Sequence, residues 1–215
     1  MAIGAMREML VGLAGPRDDA TREAIGAAIR EVAAAATDDS SRLEMAREDV
    51  ADALGGMGRC VQSEGARVAI CGAMSEIMRC DRGEEVMACA GVRDALLQMG
   101  SGAIGAAAVA FGEVVALFAG GKGVGLLACE EAAGVLAGLG RVAAATGVNR
   151  GVIAKVFNQV TAFSPAPFLT NNVVDVLVAL AHDAGDFERR DIATDSASTA
   201  PASGTNETHS TVAQS

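Results

Sequence analysis

The stretch Met87-Ala88-Cys89-Ala90-Gly91-Val92-Arg93-Asp94-Ala95-Leu96-Leu97-Gln98-Met99-Gly100 has two counterparts in the chain. One precedes it, Met45-Ala46-Arg47-Glu48-Asp49-Val50-Ala51-Asp52-Ala53-Leu54-Gly55-Gly56-Met57-Gly58. The other follows, Leu127-Ala128-Cys129-Glu130-Glu131-Ala132-Ala133-Gly134-Val135-Leu136-Ala137-Gly138-Leu139-Gly140. All three obey one template: an apolar residue and Ala, an apolar residue four later, an apolar-Leu pair three later, then an apolar-Gly pair. Apolar positions three and four apart share one face of a helix. The closing Gly suits a left-handed helix C-cap.

Two weaker copies flank these, Ala5-Met6-Arg7-Glu8-Met9-Leu10-Val11-Gly12-Leu13-Ala14 and Val173-Val174-Asp175-Val176-Leu177-Val178-Ala179-Leu180-Ala181. Their closing small residues, Ala14, Gly58, Gly100, Gly140 and Ala181, are separated by 44, 42, 40 and 41 positions. Each copy leads through a short polar or glycine-containing connector into a second helical run: Ala24 to Ala36, Arg67 to Met78, Ala103 to Phe118 and Val152 to Phe163. Breaker clusters such as Thr37-Asp38-Asp39-Ser40, Asp81-Arg82-Gly83, Gly120-Gly121-Lys122-Gly123 and Ser164-Pro165-Ala166-Pro167 separate one unit from the next. The expected unit is a helix-turn-helix repeated about every 42 residues.

Composition agrees with an all-α fold. The 215 residues include 45 Ala and 26 Gly against 6 Phe, no Tyr and no Trp. Ala is the best helix former, and sheets draw on the aromatic residues that are scarce here. A net charge of −10 repels phosphate backbones, and without aromatic platforms for bases nucleic-acid binding is excluded as a function class. The five cysteines, Cys60, Cys71, Cys80, Cys89 and Cys129, lack C-x-x-C pairing and read as small core hydrophobes in a reducing compartment.

The period and content resemble the armadillo repeat, with the HEAT repeat as the near alternative. The likeness is most specific at Cys89-Ala90-Gly91-Val92, which is similar to that family's glycine-then-apolar start of a second helix. Ala28-Ile29-Arg30-Glu31-Val32 and Ala73-Met74-Ser75-Glu76-Ile77 resemble its third-helix signature. The resemblance implies a right-handed α-solenoid of four to five units over residues 1–185. The first unit lacks its first helix and the fifth its last. Residues 186–215, rich in Ser, Thr and Ala with little apolar bulk, read as a disordered tail.

Other functions find little footing. Ala103 to Ala119 is apolar but short for a membrane span and carries Glu113, so no membrane insertion is expected. Arg7 and Glu8 interrupt any signal-peptide core, and the chain reads as cytoplasmic, with the nucleus as the other compartment, and not secreted. Asn206-Glu207-Thr208 is then a glycosylation sequon by composition alone. Gly120 to Gly125 imitates a phosphate loop, yet Ala116 and Gly123 stand where Gly and Ser or Thr are needed. His182 and His209 belong to no catalytic pattern. No enzyme activity, metal or cofactor is expected.

One polar position recurs on the second runs: Glu31, Glu76, Glu113 and Gln159. The armadillo resemblance places this position on the concave surface, where the family uses Asn to grip an extended peptide. Carboxylates accept hydrogen bonds and pair with Lys or Arg. The expectation is a protein-binding adaptor or scaffold whose acidic groove holds an extended basic segment of a partner. The alternative is a structural subunit that stacks with itself or a longer helical partner through uncapped apolar ends, since Met6, Met9, Leu10 and Leu13 make the first copy apolar.

Overall fold

Short polar residues set where the helices start. Asp18 Oδ1 accepts from the Thr21 amide at 2.9 Å, Asp38 Oδ1 from the Ser41 amide at 2.9 Å, and Ser63 Oγ from the Ala66 amide at 3.2 Å. Each satisfies an amide that the first helical turn leaves without a partner. The computed structural model describes residues 2–15, 18–170 and 172–181, and among these every regular element is helical. In chain order they are α1 (Ala2–Leu13), α2 (Asp19–Ala35), α3 (Asp39–Met45), α4 (Glu48–Cys60), α5 (Glu64–Met78), α6 (Gly83–Met87), α7 (Ala90–Gly100) and α8 (Gly105–Gly120). A 3-10 turn at Val124–Leu127, α9 (Glu130–Thr146), α10 (Arg150–Phe163), a second 3-10 turn at Ala166–Phe168 and α11 (172–181) complete the series. Residues Met1–Leu180 form one compact unit. The tail over 186–215, His182, His209 and the sequon lie outside the described residues.

The expected two-helix unit gains a third element. The helices α3 and α6 and the Val124–Leu127 turn end at Met45, Met87 and Leu127, the first residue of each template copy. The Ala that follows bends the chain each time: Ala46 (φ −85, ψ 61), Ala88 (φ −74, ψ 57) and Ala128 (φ −80, ψ 55). This is inverse-γ-turn geometry, and across Ala88 the Cys89 amide donates to the Met87 carbonyl at 2.8 Å. The next residues, Arg47, Cys89 and Cys129, are extended and precede α4, α7 and α9. A helix of four to seven residues is too short to display an apolar period, so its sequence reads as connector.

The second runs also shift at their starts. Helices α2 and α5 begin at Asp19 and Glu64, ahead of the apolar pattern, because an acidic first turn suits the positive end of the helix dipole. Helix α8 begins at Gly105, later than Ala103, after Gly102 and with Gly105 itself at positive φ.

Two rows of helices pack in succession, α2 on α5 on α8 on α10 and α1 on α4 on α7 on α9. The core between them is aliphatic, with Phe111, Phe118, Phe157 and Phe168 its only large rings among the described residues; Phe157 and Phe168 meet edge-to-face at 6.2 Å. Close helix approach is what the template glycines permit. Gly58 and Gly140 lie inside α4 and α9, Gly100 ends α7, and none of the three has positive φ. The expected C-cap role is therefore corrected. A Cβ on Gly58 would stand 2.7 Å from Ala95 Cβ, and one on Gly100 2.7 Å from Val135 Cγ1. One on Gly140 would enter the Val176 side chain. The left-handed cap that ends α9 is a different glycine, Gly147 (φ 77).

Arg7, 5% exposed, ties the first helix down through Asp49 at 3.2 Å and Glu44 at 3.9 Å, residues of α4 and α3. Burial bears out the core reading for Cys71 and Cys80 alone. Cys60 is exposed at the end of α4, and Cys89 and Cys129 are half-buried just before their helices.

Candidate interaction surfaces

Polar links between neighbouring helices set how the α2–α5–α8–α10 row is aligned. Asp19 Oδ2 accepts from the amides of Gln62, at 2.9 Å, and Ser63, 44 residues away from Asp19. Glu64 Oε1 accepts from the Ala106 amide at 2.9 Å, 42 residues on. Asn149 Nδ2 donates to the Val109 carbonyl at 3.0 Å, 40 residues back. Burial alone would raise the Asp19 carboxyl, but the Ser63 amide, Arg22 and the Gln62 amide outweigh it and hold that carboxyl below its usual range.

With that register, the four recurring residues do not form one ladder. Glu31 and Glu76 are level on α2 and α5. Counted from the helix starts, Glu76 lies twelve residues past Glu64 in α5 and Glu113 eight past Gly105 in α8, and with the start of α8 bonded to Glu64 this puts Glu113 about one turn nearer the start of α8. Gln159 lies at the other end of α8, where a Cβ on Gly120 would be 3.4 Å from its Nε2. Charge differs from an open acidic stripe as well. Glu31 pairs with Arg30 at 3.0 Å and Glu76 with Arg79 at 2.6 Å, and the Arg30 stem lies over Gly72 of α5. Glu113 is exposed and has no hydrogen bond or ion pair among the described residues. Gln159 Oε1 is buried without a hydrogen-bond partner among them. An incoming Lys or Arg therefore meets one free carboxylate, while at Glu31 and Glu76 it competes with a resident guanidinium.

The apolar surface has a clearer pattern. In α1, Met6, Met9 and Leu13 are exposed, Met9 at 59%. Their template equivalents in α7, Val92, Ala95 and Met99, are buried against α4, Ala95 at 0%. In α11, Val174 and Val178 are exposed, Val178 at 51%. Their equivalents in α9, Ala133 and Ala137, are buried, Ala137 at 0%. Phe163 and Leu169, near the end of the row, are exposed too. The sequence signalled the first of these faces through its apolar start. The second is invisible in sequence, because valines in a helical period read as core, and their exposure is set by which helices pack against them.

Other features resolve into local structure. The Gly120 to Gly125 segment is a turn in which Lys122 pairs with the Glu85 carboxylate, and a Cβ on Gly123 would enter the Phe118 ring. Its hydrogen bond from Lys122 holds the Glu85 carboxyl below its usual range. A shallow apolar cavity of about 190 Å³ lies among α8, α9 and α10, lined by Val109, Leu139, Val142 and Val148. Among the described residues no group of three or more His, Cys, Asp or Glu could hold a metal ion. No helix among them is long and apolar enough to cross a membrane. No protein-family model, curated protein or solved structure matches the chain.

Proposed function

We propose that the chain is a non-enzymatic helical-repeat scaffold, an α-solenoid of armadillo-like units that binds other proteins through exposed apolar faces of α1 and α11. The two successive rows of helices and the recurrent turn at Ala46, Ala88 and Ala128 support the repeat reading. One observation carries the binding reading: Met6, Met9 and Leu13 of α1 are exposed where their equivalents in α7 are buried, and Val174 and Val178 of α11 are exposed where their equivalents in α4 and α9 are buried. Apolar faces of this kind mark protein contacts in soluble chains. No cofactor and no catalytic step enter this reading. Capture from extract with the immobilised full chain tests it. A Met6→Glu, Met9→Glu, Val174→Glu, Val178→Glu variant should lose the proteins that the native chain retains, and an unchanged set of captured proteins refutes it.

A groove for an extended basic segment is the second reading, favoured by the free Glu113 carboxylate. Glu113→Ala should weaken binding of a Lys- and Arg-rich peptide more than Glu31→Ala or Glu76→Ala does. It should also flatten the salt dependence of that binding. Equal affinity in the Glu31→Ala, Glu76→Ala, Glu113→Ala triple variant removes the groove.

A further inference from the structure

Inside the chain, each template helix presents two faces to its neighbours. One face carries small residues that receive the next helix. Gly55 and Gly58 of α4 lie against Gly91, Ala95 and Met99 of α7, Gly100 of α7 against Val135 of α9, and Gly140 of α9 against Val176 and Leu180 of α11. The opposite face supplies the residues that are received. By template position, Met6, Met9 and Leu13 of α1 match Val92, Ala95 and Met99 of α7, so α1 exposes a supplying face with no receiver among the described residues. Val174 and Val178 match Ala51 and Gly55 of α4 and Ala133 and Ala137 of α9, all buried, and Arg93 and Leu97 of α7, both half-buried, so α11 exposes a receiving face on which nothing is seated among the described residues.

We infer that a second copy of this chain seats its α1 face, Met6, Met9 and Leu13, on the Val174 and Val178 face of α11, head to tail. This rests on the scaffold reading above and names its partner. Continuity with the contacts inside the chain selects the occupant: the two exposed faces are the complementary halves of an interface the molecule already makes between α4 and α7 and between α7 and α9. At the centre of the junction the residues are bulkier than between α4 and α7, Met9 for Ala95 on one side and Val174 and Val178 for Ala51 and Gly55 on the other. The α1–α11 spacing is therefore wider than between internal helices, and unbranched, pliable methionine side chains fill it. Because the two faces differ, the contact is heterologous and does not close on a dimer; association continues as concentration rises.

Sedimentation velocity of the full chain over an approximately hundredfold concentration range tests this. The native chain should grow in mass with concentration past a dimer. Met9→Glu and Val178→Glu each place a carboxylate in one face and should each stay monomeric, with association weakened about tenfold or more. An equimolar mixture of the two variants keeps one intact pair of faces and should form a heterodimer that grows no further. Circular dichroism checks that both variants fold, and Met9→Gln with Val178→Thr serve if either does not. A native chain that remains monomeric overturns the self-stacking while leaving the capture experiment to judge the scaffold reading. Self-association by either Glu variant alone, or no heterodimer in the mixture, overturns it as well.

Discussion

Three glycines in α4 should respond oppositely to the same substitution. Replacing Gly by Ala inside a helix restricts the unfolded chain and contributes about 0.5–1 kcal/mol where the new methyl has room. A Cβ on Gly56 meets nothing within 4 Å, so Gly56→Ala should stabilise by that amount. A Cβ on Gly58 stands 2.7 Å from Ala95 Cβ, where carbon atoms prefer about 3.5–4 Å. Ala95 Cβ cannot rotate away, so α4 and α7 must part by roughly 1 Å. On Gly55 the obstacle is the Gly91 backbone itself, 3.0 Å from the added carbon. Overpacking of this kind costs about 1–3 kcal/mol, which exceeds the helix gain. Gly55→Ala and Gly58→Ala should therefore destabilise by about 1–2 kcal/mol. Urea unfolding followed by far-ultraviolet circular dichroism measures the difference. In thermal melts each kcal/mol corresponds to about 2–4 °C at this chain size. If Gly58→Ala is as stable as Gly56→Ala, the close approach of α4 and α7 is wrong, and with it the meaning given to the periodic glycine.

Thiol reactivity should separate the cysteines. Cys60 is exposed, whereas burial pushes the Cys71 thiol up to about 12, against a smaller pull from Arg67. In the native chain a thiol-labelling reagent should modify Cys60 early and spare Cys71 until denaturant is added; equal rates refute the buried placement. Acid should weaken the helix starts. Hydrogen bonds from Thr21 lower the Asp18 carboxyl and those from Ser41 lower the Asp38 carboxyl, each from an unfolded value of 3.8. A group whose folded value is depressed stabilises the fold above 3.8, and that contribution is lost as pH falls through the lower folded value. Asn caps a helix as well as Asp but does not titrate. An Asp18→Asn, Asp38→Asn chain should lose less stability than the native chain between about pH 5 and pH 2. A pH dependence identical to the native one counts against these caps.

The helical class and the positions of its main elements were legible in the sequence because they depend on local periodicity. Apolar residues three and four apart, abundant Ala and breakers at regular intervals need no knowledge of neighbours. Three things were decided by tertiary structure. The template glycine marks close contact with a helix about 40 residues away, not a helix end, because a missing side chain is equally useful for both and only the neighbour distinguishes them. The level of Glu113 against Glu76 was ambiguous by one turn, since residues four apart share a helix face and an apolar pattern aligns equally well either way. The bond from Glu64 to the Ala106 amide removes that ambiguity and breaks the expected ladder. Met6, Met9 and Leu13 of α1 and Val174 and Val178 of α11 look like core in sequence and stand exposed in the structure, because burial belongs to a pair of helices and no helix among the described residues covers these faces.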